Sequence, residues 1–236
     1  MNRAKLESRI STDLAAYWLE IGHRQRARAA CFSRLASSLL AHGAPAVLLR
    51  EVQRAGSDTL GHATRAFELA SDYAGRELHP APEPLMGRLR LPTRAAISEL
   101  LHELCVGETL TGVEAYYCAE TTREPAPRMA LSALASDALR HAELGWKCLR
   151  YLLAVAPPAD REFAVDSLRR ALIEARYGED AEGSESPGPQ REELEAHGKL
   201  CPSRRALLRN DTIERLLMPF LAKLRGGHSV AGTRGL

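Results

Sequence analysis

Along four long stretches of the chain, one stripe of positions repeats at intervals of three and four, mostly apolar, which predicts four amphipathic helices. The first stripe is Leu14, Trp18, Ile21, Gln25, Phe32, Leu35 and Leu39, and the second is Leu48, Val52, Ala55, Thr59, His62, Ala66 and Leu69. The third reads Ile97, Leu101, Leu104, Glu108, Thr111, Ala115 and Cys118, and the fourth Leu131, Leu134, Ala138, His141, Gly145, Cys148 and Leu152. No stretch alternates apolar and polar residues for more than a few positions, so strands are not expected.

Punctuation sets the bounds of these helices. Ser11, Thr12 and Asp13 offer N-caps for the first, which runs to about His42, where Gly43-Ala44-Pro45 stops it and restarts the chain. The second runs from Pro45 to Tyr73 and ends at Gly75. Residues 76–91, with three prolines and a glycine, read as a long crossover. Pro92 and Thr93 open the third, which continues to about Glu120, and Glu124-Pro125-Ala126-Pro127 turns the chain into the fourth, ending before Pro157-Pro158. Each is about 27 to 30 residues, hence roughly 40 to 45 Å long, and such matched lengths suit side-by-side packing. Short links within each pair and a long one between pairs predict an all-α, antiparallel four-helix bundle with a crossover between helices two and three, plus C-terminal helices.

The whole chain is thereby divided. Residues 1–155 form the bundle. Residues 156–177 form an accessory helix, capped by Asp160, whose face of Ala164, Val165, Leu168, Ala171, Leu172 and Ala175 packs on it. Residues 178–202 are rich in Gly, Pro, Ser and acid and are expected to be a flexible linker. Residues 203–236 hold a last amphipathic helix, about Ser203 to Leu224, and a disordered tail.

Composition narrows the class of protein. A net charge of +2 with no basic block gives no footprint for nucleic acid or an anionic membrane. The five cysteines are odd in number and lack a CxxC pair, which argues against a disulfide framework or a thiolate zinc site and for free thiols in a reducing compartment. Asp13, Glu20 and His23 interrupt the first apolar stretch, so it is neither a signal peptide nor a membrane span, and the expected location is the cytoplasm. There is no Ser-His-Asp spacing, phosphate loop or dinucleotide fingerprint. A small molecule, a protein partner and a homo-oligomer all stay open.

Candidate chemistry lies where polar residues break the stripes: Gln25, His62, Glu108 and His141 each point into the core near the middle of a helix. A short repeat reinforces this, since Ser57–Ala63 and Ser136–Ala142 agree at five of seven positions, at matching places in the second helix of each hairpin. His102 and Glu103 lie partly outside the stripe and read as a solvated pair.

On these residues the chain resembles the ferritin-like di-metal proteins over roughly positions 12 to 155. In that family the first and third helices each give a Glu, and the second and fourth each give a Glu-x-x-His pair, because residues three apart on a helix reach one ion together. The segment Gln25 to Phe32 looks like the first ligand helix, Ser57 to Ala63 the second, Cys105 to Leu110 the third and Ser136 to Trp146 the fourth. The carboxylate positions are Gln25 in the first, Thr59 in the second and Ala138 in the fourth, leaving His62, Glu108 and His141 of six ligands. One carboxylate does not offset two divalent cations in a low-dielectric core, so a di-iron centre is not expected. Two imidazoles and one carboxylate suit at most a single divalent ion, Fe, Mn or Zn. Asp58 and Asp137 could each accept a ring N–H from the histidine of the other hairpin, with Gln25 as a further supporting residue.

Two functions follow from the resemblance. One is a metalloprotein in which His62, Glu108 and His141 hold one ion for oxygen-dependent oxidation. The other is a non-catalytic, metal-free bundle, a structural or protein-interaction module in which the same residues satisfy one another by hydrogen bonds.

Overall fold

The structure is a computed structural model that describes residues 8–82, 91–177 and 188–226. Among these residues every regular element is helical. The long helices are α1 (Ser8–Ala41), α2 (Ala46–Ala74) and α5 (Pro125–Val155). A fourth is continuous through α3 (Thr93–Glu99), a π-helical segment (Leu100–Glu108) and α4 (Thr109–Thr121). The accessory helix α6 (Ala159–Tyr177) follows, then α7 (Gly188–Ala196). The last helix runs through α8 (Pro202–Thr212), a second π-helical segment (Ile213–Leu217) and α9 (Met218–Gly226). No helix among the described residues is long and apolar enough to cross a membrane.

Glycine ends the first two helices as the sequence predicts: Gly43 and Gly75 adopt φ of 71° and 64°, a region costly for side-chain-bearing residues. The expected N-caps of α1 do not act as caps. The helix is already under way at Ser8, where Thr12 Oγ1 donates back to the Ser8 carbonyl at 2.9 Å and Ser11 reaches across to the carbonyl of Tyr73.

Pairing directions follow from residues that meet across each seam. Gly22 faces Phe67 and Gly56 faces Phe32, so α1 and α2 are antiparallel. Gly112 meets Leu139 and Gly145 meets Leu104, which sets α5 antiparallel to the helix before it. Asp58 pairs with Arg140 and Glu51 with Lys147 across α2 and α5, while Arg28 meets Glu103 and Arg34 meets Glu99 across α1 and the third helix. The end of α2 and the start of α3 therefore lie at opposite ends of the packed helices. Of the predicted crossover, residues 83–90 fall outside the described residues.

The apolar interior is split in two. One cluster gathers Phe32, Leu39, Val52, Leu101, Leu152 and Leu168, the other Leu14, Trp18, Leu69, Cys118, Leu131 and Leu134. Between them lies one level to which every long helix contributes polar side chains. In α6, Ala164, Leu168, Ala171 and Leu172 are buried against α3 and the first π-helical segment.

The segment 178–202, read from sequence as a flexible linker, is corrected over 188–202; residues 178–187 lie outside the described residues. Leu194 and Leu200 are each 4% exposed, and burying a leucine contributes about 1.5 to 3 kcal/mol. Polar groups add fixed partners: the Ala196 carbonyl accepts from the amides of Arg123 and Glu124, Tyr17 donates its hydroxyl to the Gly198 carbonyl at 2.9 Å, and Tyr73 Oη lies 2.7 Å from His197 Nδ1. The average composition of 178–202 hid these few anchors. Of the tail expected after Leu224, residues 225 and 226 still belong to α9, and residues 227–236 lie outside the described residues.

Candidate functional site: a buried ion pair between two apolar clusters

At the polar level, Gln25 and Arg28 come from α1, Thr59 and His62 from α2, Glu108 from the π-helical segment, and Ala138 and His141 from α5. Glu108 is 1% exposed and His141 2%, so both are removed from bulk water. The Arg28 guanidinium reaches the Glu108 carboxylate from α1, with Nη1 3.3 Å from Oε1. The same nitrogen donates to the Glu103 carbonyl at 2.6 Å, and Nε lies 3.5 Å from the Glu103 carboxylate. Burial alone would lower the pKa of Arg28, but Glu108 and Glu103 outweigh it and the net shift is upward. A buried carboxylate is thereby neutralised by a cation that the protein itself supplies.

Local geometry makes room for this arginine. A Cβ on Gly107 would sit 3.0 Å from the His102 carbonyl and 3.1 Å from the Arg28 guanidinium, a tight fit that the glycine relieves where Arg28 crosses the π-helical segment. The π-helix turn is wider than an α-turn and is frequent at functional sites. Beside this pair lies a cavity of about 420 Å³, lined among others by Gln25, Arg28, His102, Glu103, Val106 and Gly107. Gln25 is buried there, three residues before Arg28. His102 is turned outward, its Nδ1 3.1 Å from Glu174 on α6.

The histidines occupy different places. His141 packs its ring edge-on to Phe32, with Nδ1 3.9 Å from Glu108 Oε1. Its Nε2 lies 3.8 Å from Asp58 Oδ2, too long for a hydrogen bond. His62 stands nearer the surface at the α2–α5 seam, where its Nε2 is 2.9 Å from Asp137 Oδ2. Arg140 ties this seam together, donating to Asp58 at 2.8 Å and to Asp137 at 2.6 Å. Partial burial alone would raise the pKa of Asp137, but the hydrogen bonds from Arg140 and His62 outweigh it and hold the carboxyl below the usual aspartate value.

The residue set expected for one metal ion is thus only partly assembled. Glu108 and His141 adjoin, whereas the Nε2 of His62 is held by Asp137. Among the described residues no three His, Cys, Asp or Glu side chains are grouped as a metal-ligand set. Thr59 donates its hydroxyl to the Ala55 carbonyl at 2.7 Å, and Ala138 carries no donor. The donors, as they stand, do not fit the divalent ion that the resemblance implies. Two atoms nevertheless keep unused capacity: Glu108 Oε1 and His141 Nε2 are buried without a hydrogen-bond partner. The ion pair with Arg28 is close enough for charge attraction but not directed enough to count as a hydrogen bond.

Sequence reasoning did not single out Arg28 or Arg140, and it read Glu103, which Arg28 engages, as solvated. The first stripe jumps seven residues from Gln25 to Phe32, and because Ala29 fills that gap at 6% exposure, Arg28 beside it left only a weak signal. Compared with protein-family models, curated proteins and solved structures, the chain matches none.

Proposed function

We propose that this chain is a metal-free bundle of ferritin-like arrangement, a structural or protein-interaction module in which a guanidinium takes the place of the metal charge. The observation that carries this reading is Arg28 on Glu108: the one carboxylate left at the inward ligand positions is already neutralised at 3.3 Å. The directions of the four long helices agree with a ferritin-like up-down-down-up order, in which the second and third helices run the same way.

A second reading has its own support. The unpartnered Glu108 Oε1 and His141 Nε2 are atoms that one divalent ion, Fe, Mn or Zn, would use. It requires Arg28 to withdraw and His62 to bind through Nδ1, with Nε2 staying on Asp137 as the supporting bond.

One experiment separates the two. Protein purified without chelator or nickel affinity resin is analysed for metals and melted with and without added iron(II), manganese(II) and zinc(II). The metal-free reading expects far less than one ion per chain and an unchanged melting temperature. An ion at a hundredfold its dissociation constant would add about 2.7 kcal/mol of stability. A stoichiometric ion whose stabilisation disappears in Glu108→Gln would overturn the metal-free reading.

A further inference from the structure

Away from the polar level, the C-terminal part of α5, the N-terminal half of α6 and α9 enclose a groove of about 850 Å³. That volume lies within the range of small-molecule sites, about 300 to 1,000 Å³. Its floor is apolar, made by Trp146, Leu149, Leu153, Val165, Phe220 and Leu224. Trp146 and Phe220 stack with ring centroids 4.3 Å apart and planes 10° from parallel. Phe220 remains 38% exposed, so part of this apolar surface is left to water.

The rim has the opposite character. Five cations, Arg150, Arg161, Arg169, Lys223 and Arg225, stand against two carboxylates, Glu162 and Asp166. Asp166 is engaged by Arg169 at 2.9 Å. Among the described residues Arg150, Arg161 and Arg225 have no ion-pair or side-chain hydrogen-bond partner, and Lys223 has only the ring of Phe220, 5.8 Å from its ammonium. On a chain whose net charge is only +2, this surplus is a local feature of the groove. Unpaired cations around an apolar trough complement a ligand with an apolar body and an anionic head.

We propose that the groove binds a small amphipathic anion: an alkyl chain lying on the Trp146–Phe220 floor, with a carboxylate, sulfate or phosphate head at the Arg150, Arg161, Lys223 and Arg225 rim. The α5 wall from Trp146 to Ala154 is about 12 Å long, roughly the length of an extended ten-carbon chain. A docked peptide helix, recognised through anchors at i, i+3, i+4 and i+7, would find little more than two turns of trough to hold it. The small ligand is therefore the better match.

The test uses the full chain and decanoate below its critical micelle concentration, read by tryptophan fluorescence. Trp146 lines the groove while Trp18 lies in the core at 1% exposure, and Trp146→Phe assigns the signal. The expected result is saturable one-site binding, with decyltrimethylammonium and decanol at least tenfold weaker. Arg150→Glu combined with Lys223→Glu should weaken decanoate at least tenfold and leave the circular dichroism spectrum unchanged, because both side chains are exposed and unpaired. Phe220→Ser, also at the surface, should weaken decanoate and decanol alike. Vesicles of phosphatidylserine identify the other source of the same head-group chemistry: a chain that sediments with them but ignores free decanoate overturns the proposal in favour of a membrane surface. No saturable binding, or decanoate affinity indifferent to the charge reversal, overturns it as well.

Discussion

Replacing Arg28 tests the centre of the structure most directly. Arg28→Met keeps the length and apolar stem of the side chain but strips the guanidinium from Glu108, whose side chain is 1% exposed. Removing one partner of a buried pair costs about 3 to 5 kcal/mol, because the remaining charge is stranded in low dielectric. For a chain of this size each kcal/mol moves the melting temperature by about 2 to 4 °C, so a fall of roughly 6 to 20 °C is expected. Glu108→Gln alone should cost less, since Arg28 keeps the Glu103 carbonyl at 2.6 Å and the Glu103 carboxylate at 3.5 Å. Combining the two changes leaves no stranded carboxylate, so the double variant should be more stable than Arg28→Met. Urea and thermal denaturation of the four proteins close a double-mutant cycle. Strict additivity, or an Arg28→Met variant within about 0.5 kcal/mol of wild type, would show that the pair does not neutralise a buried charge.

The thiols and the α2–α5 seam give two further expectations. Burial pushes Cys31 and Cys148 up to about 12 and raises Cys105 and Cys118 strongly, so at pH 8 about one in ten thousand of the first two is the reactive thiolate. Ellman's reagent should therefore label all five thiols in denaturant but at most one quickly in the native chain, and rapid native labelling of several would contradict the burial. Asp137 has a folded-state pKa below its unfolded value of 3.8, so the folded chain binds fewer protons in that range. Its contribution is fully present above the unfolded value and is lost as the pH falls through the folded one. The stability gap between wild type and Asp137→Asn should accordingly be constant near neutrality and shrink below about pH 4; a gap that widens on acidification would reverse the sign.

How far such a site can be read from sequence depends on which physical signal each part leaves. The long helices were legible because burial at three- and four-residue spacing is a one-dimensional pattern: Leu14, Trp18, Ile21, Leu101, Leu104, Leu131 and Leu152 are all buried where the stripes put them. The same pattern placed Glu108 and His141 inside, at 1% and 2% exposure. It could not say what neutralises Glu108. Partner choice is a matter of reach across a seam, and an arginine on a ligand-like helix reads as surface unless the gap in its stripe is taken seriously. Gly107 left no readable reason in sequence either, because the tight space above it comes from the guanidinium that crosses it.

The segment 188–202 failed for a related cause. Its order comes from a few long-range partners, Tyr17, Tyr73, Arg123 and Glu124, that no local average contains. The polar residues kept at the central level follow the same logic. Two of them are held from another helix, Glu108 by the counter-charge of Arg28 and His62 by the acceptor Asp137. A lone change at this level strands its partner, whereas a paired change need not. That coupling makes the changes at positions 28 and 108 non-additive, and the size of the non-additivity measures how far the guanidinium neutralises the buried carboxylate.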